Sequence, residues 1–121
     1  MNTAHPIRVL LVHNHPLARQ ALRAILQTFS NVLIVGEATT SEEAMERAGT
    51  LQPTIVVMDI SLPALERISA LTMKYPHIPV IGISDNTAGY LVHAVIKAGA
   101  VEILPPQTAL DLYGVMQRAA A

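Results

Sequence analysis

The sequence contains no cysteine and no tryptophan, and its only aromatic residues are Phe29, Tyr75, Tyr90 and Tyr113. Without thiols there can be no disulfides, thiolate metal sites or thiol catalysis, and cysteine usage leaves the redox compartment undetermined. So few rings argue against an aromatic platform for stacking nucleobases. They also leave the core to Val, Ile, Leu, Ala and Met. Charge is sparse as well: 14% of residues are charged, with eight Lys and Arg against nine Asp and Glu for a formal net charge of −1. The basic residues are scattered and form no stripe for a phosphate backbone or an anionic membrane, so direct nucleic-acid binding is disfavoured. Met1 to Arg8 lacks the apolar stretch of a signal peptide, and no later apolar run reaches the length of a membrane span before a charge or proline. The expectation is a soluble, cytoplasmic protein.

What is present is enough for a two-sided core. At 121 residues and 51% apolar composition, the chain reads as one domain, residues 1–121, far from the signature of disorder. Five short apolar runs recur, at Ile7–Val12, Val32–Gly36, Thr54–Met58, Val80–Ile83 and Val101–Leu104. They are continuous rather than alternating, as in strands of a parallel sheet covered on both faces.

Helical spacing fills the intervals. After His15, Pro16 suits a first helical turn, and Ala18, Leu22, Ile25 and Phe29 follow as an inward stripe. Thr40 and Glu43 read as a capping box, with Ala44, Ala48 and Leu51 inward and Pro53 forbidding continuation. Leu65, Ile68, Leu71 and Thr72 mark a third helix ended by Pro76 and Pro79; Leu91, Val92, Val95 and Ile96 mark a fourth stopped by Gly99. A fifth runs from about Thr108, capped with Asp111, to about Arg118, leaving Ala119–Ala121 as a frayed tail. Strict alternation with short links implies right-handed crossovers and a doubly wound α/β fold of five strands and five helices.

Ligands of such sheets bind beyond the carboxyl ends of the strands. There the chain runs into His13, Asn14 and His15 after the first strand, Asp59 after the third, Ser84 after the fourth, and Pro105 and Pro106 after the fifth. His13, His15 and Asp59 could suggest a transition-metal site, but neighbours in one irregular loop seldom face one point, and no metal site is expected. His5, His77 and His93 share no ligand spacing and read as surface residues, and the methionines read as core filler.

The segment IRVLLVHNHPLAR, Ile7 to Arg19, resembles the opening of receiver domains from response regulators with a helix-turn-helix output. VVMDISLP, Val56 to Pro63, resembles the phosphoacceptor strand of that CheY-like family. GEA at Gly36–Ala38 and KAGA at Lys97–Ala100 match further. The resemblance spans the chain and implies a flavodoxin-like sheet of strand order 2-1-3-4-5, a role in two-component signal transduction and phosphorelay, and no enzymatic activity of its own.

The resemblance also shows what has changed. It places Asp59 at the phosphorylated aspartate and Ser84 at the hydroxyl that contacts the phosphoryl group. His13 and Asn14 stand where the family carries two acidic Mg²⁺ ligands, and Pro105 and Pro106 where it carries a lysine followed by proline, often with a cis bond. Ile103 stands where an aromatic residue usually swings inward on activation. The loop after Pro63 is shorter than usual. Mg²⁺ is a hard cation that wants several oxygens, so a His and an amide are poor substitutes and binding is expected to be weak or absent. Phosphoryl transfer needs cations on the transferring oxygens, and both supports are gone.

The leading expectation is therefore an atypical receiver used as an interaction or dimerisation module. The resemblance implies that a protein partner or second copy docks on the face of the fourth helix, fifth strand and fifth helix. The alternative is a working phosphoacceptor that takes phosphate onto Asp59 from a histidine kinase. A hydrolase or nucleotide enzyme lacks support, since no Gly-rich phosphate loop or nucleophile elbow is present. No output domain is visible: the chain stops where such regulators begin their linker, which fits a stand-alone receiver or the front part of a longer one.

Overall fold

The apolar runs find one another because their backbone groups must be paired once their side chains leave water. The computed structural model describes residues 6–13, 15–60, 64–84, 89–105 and 109–120. Along it lie β1 (Ile7–Val12), α1 (Pro16–Leu26), β2 (Val32–Ala38), α2 (Ser41–Leu51), β3 (Ile55–Asp59), α3 (Ala64–Lys74), β4 (Val80–Ile83), α4 (Gly89–Lys97), β5 (Glu102–Leu104) and α5 (Ala109–Ala120). The strands form one parallel sheet in the order β2-β1-β3-β4-β5. This is the flavodoxin-like order that the resemblance implied.

Successive strand residues point to opposite faces, and both faces are covered. Leu10, Val12, Val56, Met58 and Val80 join Ala44, Ala48, Ile68, Leu71, Leu91 and Val95 in one core beneath α2, α3 and α4. Val9, Leu11, Ile55, Val57, Ile81 and Ile83 join Leu22, Leu26, Leu112, Val115 and Met116 in the other, beneath α1 and α5. Each Val, Leu, Ile or Met among them, fully buried, contributes about 1.5–3 kcal/mol. The central strands β1, β3 and β4 are buried along almost their whole length, whereas edge strand β2 is only half-buried.

Several local expectations need adjusting. The inward residue at the end of α1 is Leu26; Phe29 lies past the helix and stacks on Tyr113, ring centroids 4.4 Å apart. Thr40 caps α2 by accepting from Glu43 N at 3.1 Å, but the Glu43 carboxylate reaches one residue further back, to Thr39 N at 2.9 Å. Those bonds hold its carboxyl below the usual carboxylate range. Ala119 packs against the core instead of fraying. Met58 and Met116 are core residues as read, but Met73 is exposed. The Thr108–Asp111 cap and His5 lie outside what the structure describes.

Two contacts hold helix ends to the sheet. Arg8, at the start of β1, donates to the carbonyls of Gln52 and Leu51 at 2.6 and 2.8 Å, satisfying the open end of α2 with a cation where the helix dipole is negative. Gly99, at φ +121°, ends α4 and packs so closely on Thr72 that a Cβ would meet Thr72 Oγ1 at 2.5 Å. Thr72 Oγ1 in turn donates to the Ala98 carbonyl at 3.0 Å, tying α3 to the end of α4.

The burial contrast between strands predicts a contrast in stability. Leu11, 0% exposed in β1, should cost about 2–5 kcal/mol when changed to Ala, through lost transfer energy and a residual cavity. Leu33, 53% exposed on β2, should cost no more than about 0.5 kcal/mol. Urea unfolding of the two variants, read by circular dichroism, checks the difference.

Candidate functional site

The carboxyl ends of β1, β3 and β4 meet because their parallel registers align them. Val12 pairs with Met58, and Asp59 with Ile83, so His13, Asp59 and Ser84 emerge side by side at one edge of the sheet. His13 N donates to the Ala38 carbonyl at 3.0 Å and Ile60 N to that of Ile83 at 2.9 Å, extending the sheet hydrogen bonding into the site. Ser84 N donates to the Leu104 carbonyl at 2.9 Å, and the residue is 8% exposed. Ile103 pairs with Gly82 and is buried in the core under α4. Pro105 follows β5 and is half-buried. Asn14 and Pro106 lie outside the described residues, and with them the Pro105–Pro106 bond.

The His13 side chain is held at both ring nitrogens. Its Nε2 lies 3.5 Å from Asp59 Oδ1, and the two side chains are 11% and 27% exposed. Its Nδ1 accepts from the backbone N–H of His15 at 3.0 Å. A neutral imidazole whose Nδ1 accepts must carry its proton on Nε2, so an N–H rather than a lone pair faces Asp59. His15 is fixed in turn: it is the N-cap of α1, its Nδ1 accepting from Ala18 N at 3.4 Å, with Pro16 in the first turn.

The charges around the turn come from α1. Arg19 donates to the His13 carbonyl at 3.1 Å and pairs through Nε with Glu37 at 3.1 Å; Arg23 Nε lies 2.8 Å from the same carboxylate. Both Nε groups are buried and off the hydrogen-bond axis, so Coulombic attraction more than aligned bonding holds them, while Arg23 Nη2 donates properly at 3.1 Å. Arg47 donates to the Glu37 carbonyl from the α2 side. This clamp fastens the β1–α1 turn to β2, and sequence reading missed it. The signal was there in Arg19 and Arg23, four residues apart and therefore on one helix face.

Burial pushes the His13 pKa below its ordinary value; Asp59 opposes that shift, while His15 and Arg19 add to it. The imidazole is therefore neutral at neutral pH. Protonation would also put a hydrogen on Nδ1, where the His15 N–H already points. The resemblance to receiver domains implies Mg²⁺ at this place, and these donors do not suit it. One nitrogen presents a proton and the other is already bonded, leaving Asp59 as the one carboxylate among the described residues of the site.

Because the native pKa of His13 lies below the unfolded one, the unfolded state binds the extra proton first, and His13 draws stability down as pH falls through about 6.5. Asp59 is the contribution that raises the value, so in Asp59→Asn the His13 titration seen by NMR should move to still lower pH. An unchanged titration would mean the pair is not coupled.

The model for the response regulator receiver domain matches residues 9–111. The chain is 30% identical over 108 residues to the transcriptional regulatory protein MctR of Rhizobium johnstonii, covering 87% of this chain and 50% of that protein. It is 31% identical over 115 residues to protein-glutamate methylesterase/protein-glutamine glutaminase 5 of Myxococcus xanthus, covering 91% of this chain and 33% of that one. The chain thus spans a third to a half of the length of these curated relatives. Its fold superposes on the response regulator domain of Thermotoga maritima CheB with a TM-score of 0.85 at 27% identity, covering 96% of this chain and 97% of that one. With order, register and motifs in agreement, the chain belongs to the response regulator receiver domains.

Proposed function

We propose that this receiver works as an atypical, phosphorylation-independent interaction or dimerisation module in two-component-type signalling. The observation that carries the reading is the His13 imidazole, N–H foremost, 3.5 Å from Asp59 in the place of an acidic metal ligand. A pocket without that ligand and without a lysine after β5 lacks the cations that stabilise a transferring phosphoryl group. Buried Ile103 supports the same reading, since an aliphatic side chain offers no aromatic ring to exchange between exposed and inward positions.

Binding is assigned to the α4–β5–α5 face. Ile96 on α4 and Val101 at the entry to β5 are exposed large apolar residues, and Tyr90 at the start of α4 is another. Such residues near one sheet edge suit a protein partner or a second copy of the chain. The reading includes residues 1–121 as one receiver unit, without catalysis of its own, acting in the cytoplasm. No helix among the described residues is long and apolar enough to cross a membrane.

A second reading rests on Asp59 and Ser84, which keep their places at the ends of β3 and β4. In it, a histidine kinase passes phosphate to Asp59 despite the altered surroundings.

The first reading expects self-association or partner capture to persist without any phosphodonor. Ile96→Glu and Val101→Glu should each weaken it by more than about 1 kcal/mol while leaving the fold intact. Sedimentation over a concentration series, with pull-down from lysate, provides the measurement. A monomer at every concentration with no partner retained would count against the module.

A further inference from the structure

We infer that His13 is a built-in occupant of the Asp59 pocket: the chain fills, with its own imidazole N–H, the space beside the carboxylate where a receiver would hold a cation. This concerns the pocket alone, and a chain that never associated would leave it standing.

Four constraints fix that ring. The β1–β3 register delivers His13 to Asp59. The His13 backbone is bonded on both sides, N to the Ala38 carbonyl at 3.0 Å and carbonyl to Arg19 at 3.1 Å. Its Nδ1 is held by the His15 N–H at 3.0 Å. His15 is itself locked into the cap of α1. A histidine merely filling a loop would not need its ring rotation set by a backbone donor on one nitrogen and a carboxylate on the other.

The tautomer gives the arrangement its selectivity. An imidazole that binds a metal through Nε2 keeps its proton on Nδ1 and donates it to an acceptor. Here Nδ1 faces a donor, so metallation of Nε2 would demand an imidazolate or the loss of the His15 bond. The site is closed in this way to borderline cations such as Zn²⁺ as well as to Mg²⁺. At 3.5 Å the contact with Asp59 is longer than a formed N–H···O bond. Its effect is occupancy and a favourable dipole toward the carboxylate, with the Arg19 charge behind it.

Two single substitutions separate occupancy from charge. Asn14→Asp and His13→Asp each add one carboxylate, but only the second removes the imidazole. The full chain and both variants are titrated with magnesium chloride while the amide resonances of Asp59 and Ser84 are followed. His13→Asp should gain a saturable response at least about tenfold tighter than either of the others. Equal gains in the two variants would overturn the inference, since carboxylate number would then set affinity; so would no gain in a folded His13→Asp. Nitrogen shifts of His13 in the unaltered chain decide the matter without a variant. The Nε2–H tautomer supports the inference, and the Nδ1–H tautomer or a mixture of the two overturns it.

Discussion

Everything at the site depends on the in-register parallel pairing of β1 with β3. With Val12 opposite Met58, the next residue along each, His13 and Asp59, must emerge side by side, so the side chain at position 13 is the one set beside the Asp59 carboxylate. A slip of one residue between the two strands would turn the side chains of one of them to the opposite face of the sheet. The same burial that stabilises the sheet therefore holds an imidazole against a carboxylate. It does so whether or not that contact contributes stability.

An imidazole at this point differs from an acidic side chain in more than charge. A carboxylate there would bring lone pairs to a shared centre and would be repelled by Asp59 unless a cation lay between them. A neutral imidazole brings a proton and needs no cation. Arg19, a positive charge beside the turn, is already committed to Glu37 and to the His13 carbonyl. Shared with Arg23 and partly buried, that clamp should exceed the 0–1 kcal/mol typical of an isolated surface pair.

Much of this was legible in the residues. β-Branched runs marked the central strands because a strand covered on both faces must be apolar at every position, and Pro16, Thr40, Pro53 and Gly99 marked helix ends through their own backbone chemistry. The motifs around Asp59 located the site, and the absence of acidic neighbours at His13 and Asn14 was plain. What stayed hidden needs the third dimension. Leu26 and Phe29 both fit a helical stripe, and only the end of α1 decides between them. Arg8 reaches residues more than forty positions away, and the Arg19–Glu37–Arg23 clamp joins a helix to the strand after it. The tautomer of His13 follows from a single backbone hydrogen bond that no sequence pattern announces.

A receiver fold whose pocket is held from inside should not take up phosphate. The most direct measurement is the intact mass of the chain after incubation with a small-molecule phosphodonor and Mg²⁺. An unmodified mass is expected. A stoichiometric phosphoryl adduct that disappears in Asp59→Ala would contradict it and establish the phosphoacceptor reading in its place.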